Sequence, residues 1–190
     1  MASSTVDQVQ LVLRLTLGLI FLVSALAKLR DPAAFVQGVL EYRVLPGRLA
    51  RVYGQLLPFI ELGTALLLFS GYFQAAAGGL AVLMLISFAI AVAIVSIQGR
   101  EIGCHCFGQS STGRVGWHTL ARDLLLLAPA LWLLASAAGV EGKRVAWAPG
   151  DVGANIAAVM LAVLIGLAYW LVAESIEALA NLTHTRGRTA

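Results

Sequence analysis

Residues 75–97 read AAAGGLAVLMLISFAIAVAIVSI, an apolar run that contains no charged side chain. A helix needs about 20 mostly apolar residues to cross the hydrocarbon core of a bilayer. Because a backbone within lipid must satisfy its own hydrogen bonds, a run of this kind is expected to be helical. This stretch therefore predicts a transmembrane helix and sets the class of the whole chain.

Four more apolar segments lie on either side of this run, at residues 9–27, 52–70, 119–138 and 152–173. The sequence therefore predicts an all-α integral membrane protein with five spanning helices. For the first segment a cleaved signal peptide is the alternative, because Ala25-Leu26-Ala27 has the small-residue pattern of a cleavage site. Asp7 precedes the first positive charge, Arg14, and that order favours an uncleaved helix.

The composition excludes an ordinary soluble domain. Of the 190 residues 59% are hydrophobic and 12% are charged, whereas soluble domains have about 25% charged residues. The mean hydropathy is +0.87. The net charge of +3 does not indicate nucleic-acid binding, because the basic residues lie between apolar segments and not on one polar face. The lipid bilayer is the first predicted partner.

The positions of Lys and Arg predict an orientation in the cell membrane. With the N-terminus outside, every basic residue except Arg14, Lys143 and Arg144 lies on the cytoplasmic side. The positive-inside rule favours this orientation, with the C-terminus and residues 98–116 in the cytoplasm.

A short surface helix is predicted between the first two spanning segments. Asp31 is a good helix cap, and Pro32 suits the first helical position. One face of the following helix is apolar and consists of Phe35, Val36, Val39 and Leu40. We therefore expect an amphipathic helix at the membrane surface.

Residues 104–108, CHCFG, are the strongest indication of chemistry. Cys104 and Cys106 can form a small, strained disulfide ring, and strained disulfides are the labile ones. His105 titrates near neutral pH and can favour a thiolate. A dithiol–disulfide couple is the functional interpretation. A metal site that adds His105 or His118, and a structural pair of free thiols, are the alternatives.

Glu61 is an ionisable side chain inside the second apolar segment. A charge at that depth is costly and faces a partner or a wet cavity. It is interpreted either as a proton-handling or substrate-contacting carboxylate, or as half of a structural ion pair. The partners that the sequence offers are Arg14, Lys28 and Arg122.

Several other residues have ordinary structural interpretations. Arg122 and Asp123 open the fourth segment and are typical of an interfacial charge pair. Tyr53, like Trp117 and Trp147, is expected in the aromatic belt of the membrane interface. Glycines within the helices are expected to permit close helix contact, namely Gly63, Gly78 and Gly79.

The first helix contains Arg14-x-x-Leu17-Gly18-x-x-Phe21, followed by Ser24 and Lys28, and the second contains Pro58 and Glu61-Leu62-Gly63. This pattern resembles the DoxX family of small four-helix membrane proteins. The segment Ile102-Gly103-Cys104-His105-Cys106-Phe107-Gly108, followed by an arginine at the start of the fourth helix, resembles its MauE branch of methylamine-utilisation proteins. The similarity runs from about Gln10 to Leu134.

The resemblance implies a four-helix bundle over residues 1–140, with an additional spanning helix and a polar tail over residues 141–190. It also implies a role in disulfide formation or electron transfer during maturation of exported proteins, with Cys104 and Cys106 as the redox pair beside His105. The implied partners are a thioredoxin-like protein and an exported client such as methylamine dehydrogenase. No metal or cofactor is assigned, and a quinone is an alternative electron acceptor. The family role suggests cysteines on the exported side, opposite to the side that the charges favour.

Three functions follow from these observations and remain open at this point. The first is a thiol–disulfide oxidoreductase, which requires both cysteines. The second is a non-enzymatic membrane scaffold for a thioredoxin-like partner, which tolerates their loss. The third is a small transporter or lipid-binding bundle centred on Glu61. Only the first makes the chain an enzyme.

Overall fold

The computed structural model describes residues 2–99, 117–137 and 152–186, and every regular element in these ranges is an α-helix. In chain order the helices are α1 (Ala2–Arg30), α2 (Pro32–Tyr42), α3 (Gly47–Ser70), α4 (Gln74–Ile97), α5 (Trp117–Ala137) and α6 (Val152–Arg186). All except α2 contain a segment long and apolar enough to cross a membrane. The predicted all-α membrane fold with five spanning helices is confirmed.

Helices α1, α3, α4 and α5 share one apolar core. Its fully buried members include Leu17, Phe21, Leu57, Ala65, Ala81, Leu85, Leu126 and Ala130. Two helix backbones approach closely at Gly78 of α4, where a Cβ atom would lie 3.0 Å from the backbone nitrogen of Leu134 in α5. The predicted close contact is therefore present at Gly78. It is absent at Gly63, where an added Cβ would meet nothing within 4 Å.

Contacts between helices establish which ends lie together. Gln10, near the start of α1, donates to Gln74 Oε1 (2.9 Å) and to Ser136 Oγ (3.1 Å). At the opposite end, Val92 and Val95 of α4 pack with Tyr42 of α2 and Leu120 of α5. We call this second end the α2 end of the bundle. It contains the last residues of α1 and α4 and the first residues of α3 and α5.

Helix α6 lies against the outside of α1. Ala158 and Ala162 pack on Leu11 and Leu15, and Tyr169 reaches the main core further along. Helix α6 therefore runs parallel to α1 and ends at the α2 end. Its other apolar side chains are largely uncovered by the rest of the chain, as expected for a lipid-facing helix.

Helix α6 is longer than the predicted segment 152–173, because it continues to Arg186. The sequence predicted a frayed polar tail after Glu174. Residues 174–186 are rich in good helix formers and contain neither glycine nor proline. The helix can therefore continue as a polar extension beyond the apolar segment.

Arg14 caps the C-terminus of α3, although it lies within a spanning helix. Its Nε donates to the carbonyl oxygen of Leu68 at 3.1 Å, and the side chain is buried. Gly71 ends α3 with φ +73°, and a Cβ atom there would lie 2.5 Å from an Arg14 guanidinium nitrogen. A cation beside the last carbonyl groups of a helix is favourable, because those groups have no partner within the helix.

Helix α2 begins as the sequence predicts. The Asp31 side chain accepts a hydrogen bond from the backbone N–H of Ala34 at 3.0 Å, and Pro32 occupies the first turn. Phe35 and Gly38 are buried against the bundle. Val36 lies close to Gly54 of α3, where a Cβ atom would be 3.1 Å from a Val36 methyl group. Helix α2 therefore covers the bundle at this end.

Candidate functional site

A buried polar cluster joins α1 to α3 in the half of the bundle nearest the α2 end. Lys28 and Glu61 form an ion pair, and their side chains are 2% and 0% exposed. Lys28 Nζ also donates to Ser24 Oγ at 2.7 Å. The Ser24 hydroxyl lies 3.3 Å from both carboxylate oxygens of Glu61. Ser24 and Lys28 reach the same carboxylate because residues four apart lie on one face of a helix.

The charge of Lys28 is stabilised by aromatic rings as well as by Glu61. Its Nζ lies 5.3 Å from the ring centroid of Phe35 in α2 and 5.2 Å from that of Phe88 in α4. Such contacts are worth about 2 kcal/mol or more when the cation is desolvated. The ammonium group therefore has partners on four helices: α1, α2, α3 and α4.

The structure brings together one of the three ion pairs that the sequence allowed for Glu61. Lys28 is the partner. Arg14 lies at the other end of α1, where it caps α3. Arg122 Nη2 is 3.4 Å from Asp123 Oδ1 in α5. Asp123 is 4% exposed, so this pair is largely buried in the bundle, and its predicted interfacial position stays a prediction.

A cavity of about 420 Å³ adjoins the polar cluster. Lys28 and Glu61 line it from one side and Arg122 and Asp123 from another. Most of the remaining lining is apolar, with contributions from Phe21, Phe35, Val39, Leu57, Leu85 and Phe88. Each of the helices α1 to α5 contributes to the lining, and Tyr169 of α6 adds one further side chain.

Tyr53 and Ser87 form a second polar contact at the cavity wall. Their hydroxyl oxygens are 2.9 Å apart, and Tyr53 is the donor because the Ser87 hydroxyl donates to the carbonyl oxygen of Met84 at 2.8 Å. The expectation that Tyr53 belongs to the aromatic belt of the membrane interface stays a prediction, and in the structure its hydroxyl bonds to Ser87 of α4 while its ring packs on the core. Sequence reasoning missed Tyr53, Ser87, Phe35 and Phe88 as site residues. No spacing within one helix could have shown them, because they come from three different helices.

The predicted redox pair lies outside the residues that the structure describes, and this applies to Cys104, Cys106 and His105 between them. The chain on either side of them is described. Gly99, after the end of α4, and Trp117, the first residue of α5, lie at the α2 end. Two residues that line the cavity lie near these positions in the chain. Val92 precedes Gly99 by about two helical turns, and Arg122 follows Trp117 by less than two.

Comparison with known proteins identifies a family. The family model described as "Methylamine utilisation protein MauE" matches residues 6–136. The methylamine utilization protein MauE of Paracoccus denitrificans is 38% identical over 120 residues, which cover 63% of this chain and 64% of that protein. The protein of the same name from Methylophilus methylotrophus is 31% identical over 130 residues, or 67% of this chain and 68% of that protein.

The chain thus spans about two thirds of the length of these relatives, and no solved structure matches it. The matched residues 6–136 run from α1 to α5 and include every residue of the polar cluster. The multi-pass membrane architecture and the family match agree with the resemblance given by the sequence. The chain belongs to the MauE family of methylamine utilisation proteins.

Proposed function

We propose that this protein exchanges disulfides at a membrane surface and supports disulfide formation in an exported partner protein. Cys104 and Cys106 are the redox pair in this proposal, and His105 favours the thiolate form of one of them. The cell membrane is the proposed location. The relatives are named for methylamine utilisation, so the proposed client is a protein such as methylamine dehydrogenase, with a thioredoxin-like protein as a second partner.

The position of the cysteine segment in the chain is the observation that carries this proposal. Its two points of attachment, Gly99 and Trp117, lie at the end of the bundle that also holds the buried Lys28–Glu61 pair and the cavity. Two cysteines one residue apart close too small a loop to stabilise the fold by restricting the unfolded chain. Exchange is therefore a better explanation of the spacing than a structural bond.

The proposed exchange consists of two successive attacks by client thiolates. A thiolate of the client attacks the Cys104–Cys106 disulfide, and a mixed disulfide forms as one cysteine leaves as a thiolate. The second client thiol, deprotonated, then displaces this protein's sulfur. The client gains a disulfide, and Cys104 and Cys106 become thiols after taking up two protons. A new cycle requires an acceptor of two electrons, which is the disulfide of a thioredoxin-like partner or a lipid-soluble quinone.

The test is thiol labelling of the membrane-embedded protein together with client analysis. Without reductant, Cys104 and Cys106 should resist a maleimide reagent, and with reductant both should react. Cys104→Ser and Cys106→Ser should each abolish client oxidation, and at least one should accumulate a mixed disulfide that a reducing gel removes. His105→Gln should slow exchange without preventing it.

Ser110→Ala, a conservative change in the same segment, serves as the matched control and should leave client oxidation unchanged. Abundance of each variant in membranes must be equal for the comparison. If both thiols label fully without reductant and both serine variants support normal client maturation, thiol exchange is not the function. A scaffold for a thioredoxin-like partner then takes its place.

The cavity beside Glu61 favours a second function, in which the bundle binds or moves a lipid-soluble molecule without thiol chemistry. This function depends on Glu61 and the cavity wall, and it tolerates the loss of both cysteines. Normal activity in a Cys104→Ser/Cys106→Ser double variant, combined with loss of activity in Glu61→Gln, would select it.

A further inference from the structure

The cavity between α1, α2, α3, α4 and α5 has the size and lining of a ligand site. Its volume of about 420 Å³ falls within the range of about 300–1,000 Å³ that small-molecule sites occupy. The lining is mainly apolar and includes a few polar side chains. This combination is typical of sites that hold the apolar body of a ligand and orient one polar end.

Lys28 brings a hydrogen-bond donor to the cavity. The Lys28 ammonium has three N–H bonds, and in the described part of the chain two oxygen atoms, of Ser24 and Glu61, accept from it. The two aromatic rings nearest its nitrogen, those of Phe35 and Phe88, both line the cavity. The hydroxyl groups of Tyr53 and Ser87 also line the cavity, but Tyr53 donates to Ser87 and Ser87 donates to the carbonyl oxygen of Met84. A ligand head that accepts a hydrogen bond therefore suits the third N–H bond of Lys28.

The charges at the cavity disfavour an anionic head. Lys28 is neutralised by Glu61, and Arg122 lies beside Asp123, so the charged side chains in the lining carry two positive and two negative charges. A fatty-acid carboxylate or a phospholipid phosphate would bring an additional charge into this largely apolar space, and an uncompensated buried charge is costly. A neutral acceptor such as a ring carbonyl would not.

The ring positions further favour a flat head. Phe35 and Phe88 come from different helices and both lie about 5 Å from the Lys28 nitrogen. A planar ring between or beside them can stack or meet their edges, which aromatic pairs prefer. Its carbonyl oxygen would then be near the donors of Lys28.

We propose that this cavity binds a membrane quinone, with Lys28 as a donor to one ring carbonyl and the apolar wall around the ring and the first part of the tail. This proposal deepens the thiol–disulfide function and rests on it for the role of the ligand as electron acceptor. In that role the Cys104 and Cys106 thiols lose two protons and two electrons and form a disulfide, and the quinone takes up both and becomes a hydroquinone.

Ligand binding by the purified full-length protein in detergent tests the site directly. A molecule that binds only the folded state raises the melting temperature with concentration. The probe is decylubiquinone, and the comparators are decanol, which has the same tail without the ring, and palmitate, which has an anionic head. Decylubiquinone should raise the melting temperature, and the two comparators should not.

Three variants locate the site. Ala91→Phe fills part of the cavity and should weaken binding of decylubiquinone by at least roughly ten-fold. Ala76→Phe places the same ring at an exposed position on the same helix, away from the cavity, and should bind as the unaltered protein does. Tyr53→Phe removes one hydroxyl while keeping the ring, and should bind as the unaltered protein does, because that hydroxyl donates to Ser87 and not to the ligand.

The outcomes separate the quinone site from the thiol chemistry. The Cys104→Ser/Cys106→Ser double variant should bind decylubiquinone normally, because the site does not include the cysteines. Equal stabilisation by palmitate, no stabilisation by decylubiquinone, or unchanged binding in Ala91→Phe overturns the quinone site, even if client oxidation is normal. The opposite result is also possible to recognise. If decylubiquinone binds, Ala91→Phe weakens that binding, and the cysteines show no exchange, the quinone site is upheld and the thiol function is rejected.

Discussion

Lys28 and Glu61 lie opposite each other in two helices whose surroundings are otherwise apolar. Each charge would be costly alone at this depth, because both side chains are almost completely buried. Together they neutralise each other, and the Ser24 hydroxyl forms hydrogen bonds with both side chains. Removing one partner therefore has a different consequence from removing both.

Glu61→Leu should destabilise the protein by about 3–5 kcal/mol, because it leaves the Lys28 ammonium buried without a counter-charge. The double variant Lys28→Met/Glu61→Leu should recover most of that loss, since replacing a buried pair by apolar side chains is often neutral. Chemical unfolding in detergent micelles measures both values.

Asp7→Asn is the control for removal of a carboxylate at an exposed position, and it should change stability by no more than about 0.5 kcal/mol. A Glu61→Leu protein as stable as the unaltered one would show that the pair has no structural role. Failure of the double variant to recover would instead point to the loss of packing as the main effect.

Individual residues also show which features of the site a sequence can reveal. Asp31 and Pro32 predict the start of α2 because a cap is a local property of a few neighbouring residues. The partner of Glu61 could be narrowed to three residues and no further, because the choice depends on how α1 and α3 are rotated against each other. Arg14 illustrates the same limit, since its role depends on α3 ending beside it.

At the scale of helices, α4 and α5 owe their close approach to Gly78. An added Cβ there would be 3.0 Å from the Leu134 backbone nitrogen and 3.1 Å from its Cα. Backbone atoms cannot move aside as the end of a flexible side chain can. The spacing between these two helices therefore depends on the absence of a side chain at one position.

Gly78→Ala should destabilise the bundle by about 1–3 kcal/mol, because the methyl group forces α4 and α5 apart. Gly63→Ala is the matched control, because it makes the same change in a spanning helix where nothing lies within 4 Å. That variant should be neutral or slightly more stable, since alanine is the better helix former. Thermal unfolding of the two proteins in the same detergent distinguishes them, and equal melting temperatures would contradict the steric explanation.

The number and type of the spanning segments were predictable because hydrophobicity is encoded locally along the chain, whereas the polar extension of α6 to Arg186 was not. The cavity was not, since it is a volume left between five helices and no single segment carries a mark of it. Tyr53 demonstrates the difference: its place near a helix end suggested the membrane interface, whereas its contact with Ser87 is decided by the packing of α3 on α4.

For the whole molecule, the directions of the helices determine where the termini lie. Helices α1 and α6 run parallel, as the contacts of Leu11 and Leu15 with Ala158 and Ala162 indicate. An odd number of spanning helices places the two chain ends on opposite sides of the membrane. The cysteine segment is attached at the end of the bundle where α6 finishes.

Reporter fusions at Thr5 and at Arg188 should therefore report opposite compartments. A third fusion at Gly99 should agree with the one at Arg188, because Gly99 and the end of α6 at Arg186 both belong to the α2 end. The compartment reported by the Gly99 fusion also decides between the cytoplasmic side, which the charges favour, and the exported side, which the proposed function requires. Agreement between Thr5 and Arg188 would mean that α1 or α6 does not cross the membrane.

The Lys28–Glu61 pair also has a consequence for how the chain is made. The two residues are 33 positions apart, so Lys28 leaves the ribosome before its counter-charge exists. At about 5–20 residues per second, translation supplies Glu61 roughly two to seven seconds later. During that interval Lys28, near the end of α1, must keep its ammonium group in the hydrated headgroup layer. Helix α1 can therefore reach its final position in the bundle only after α3 has been synthesised.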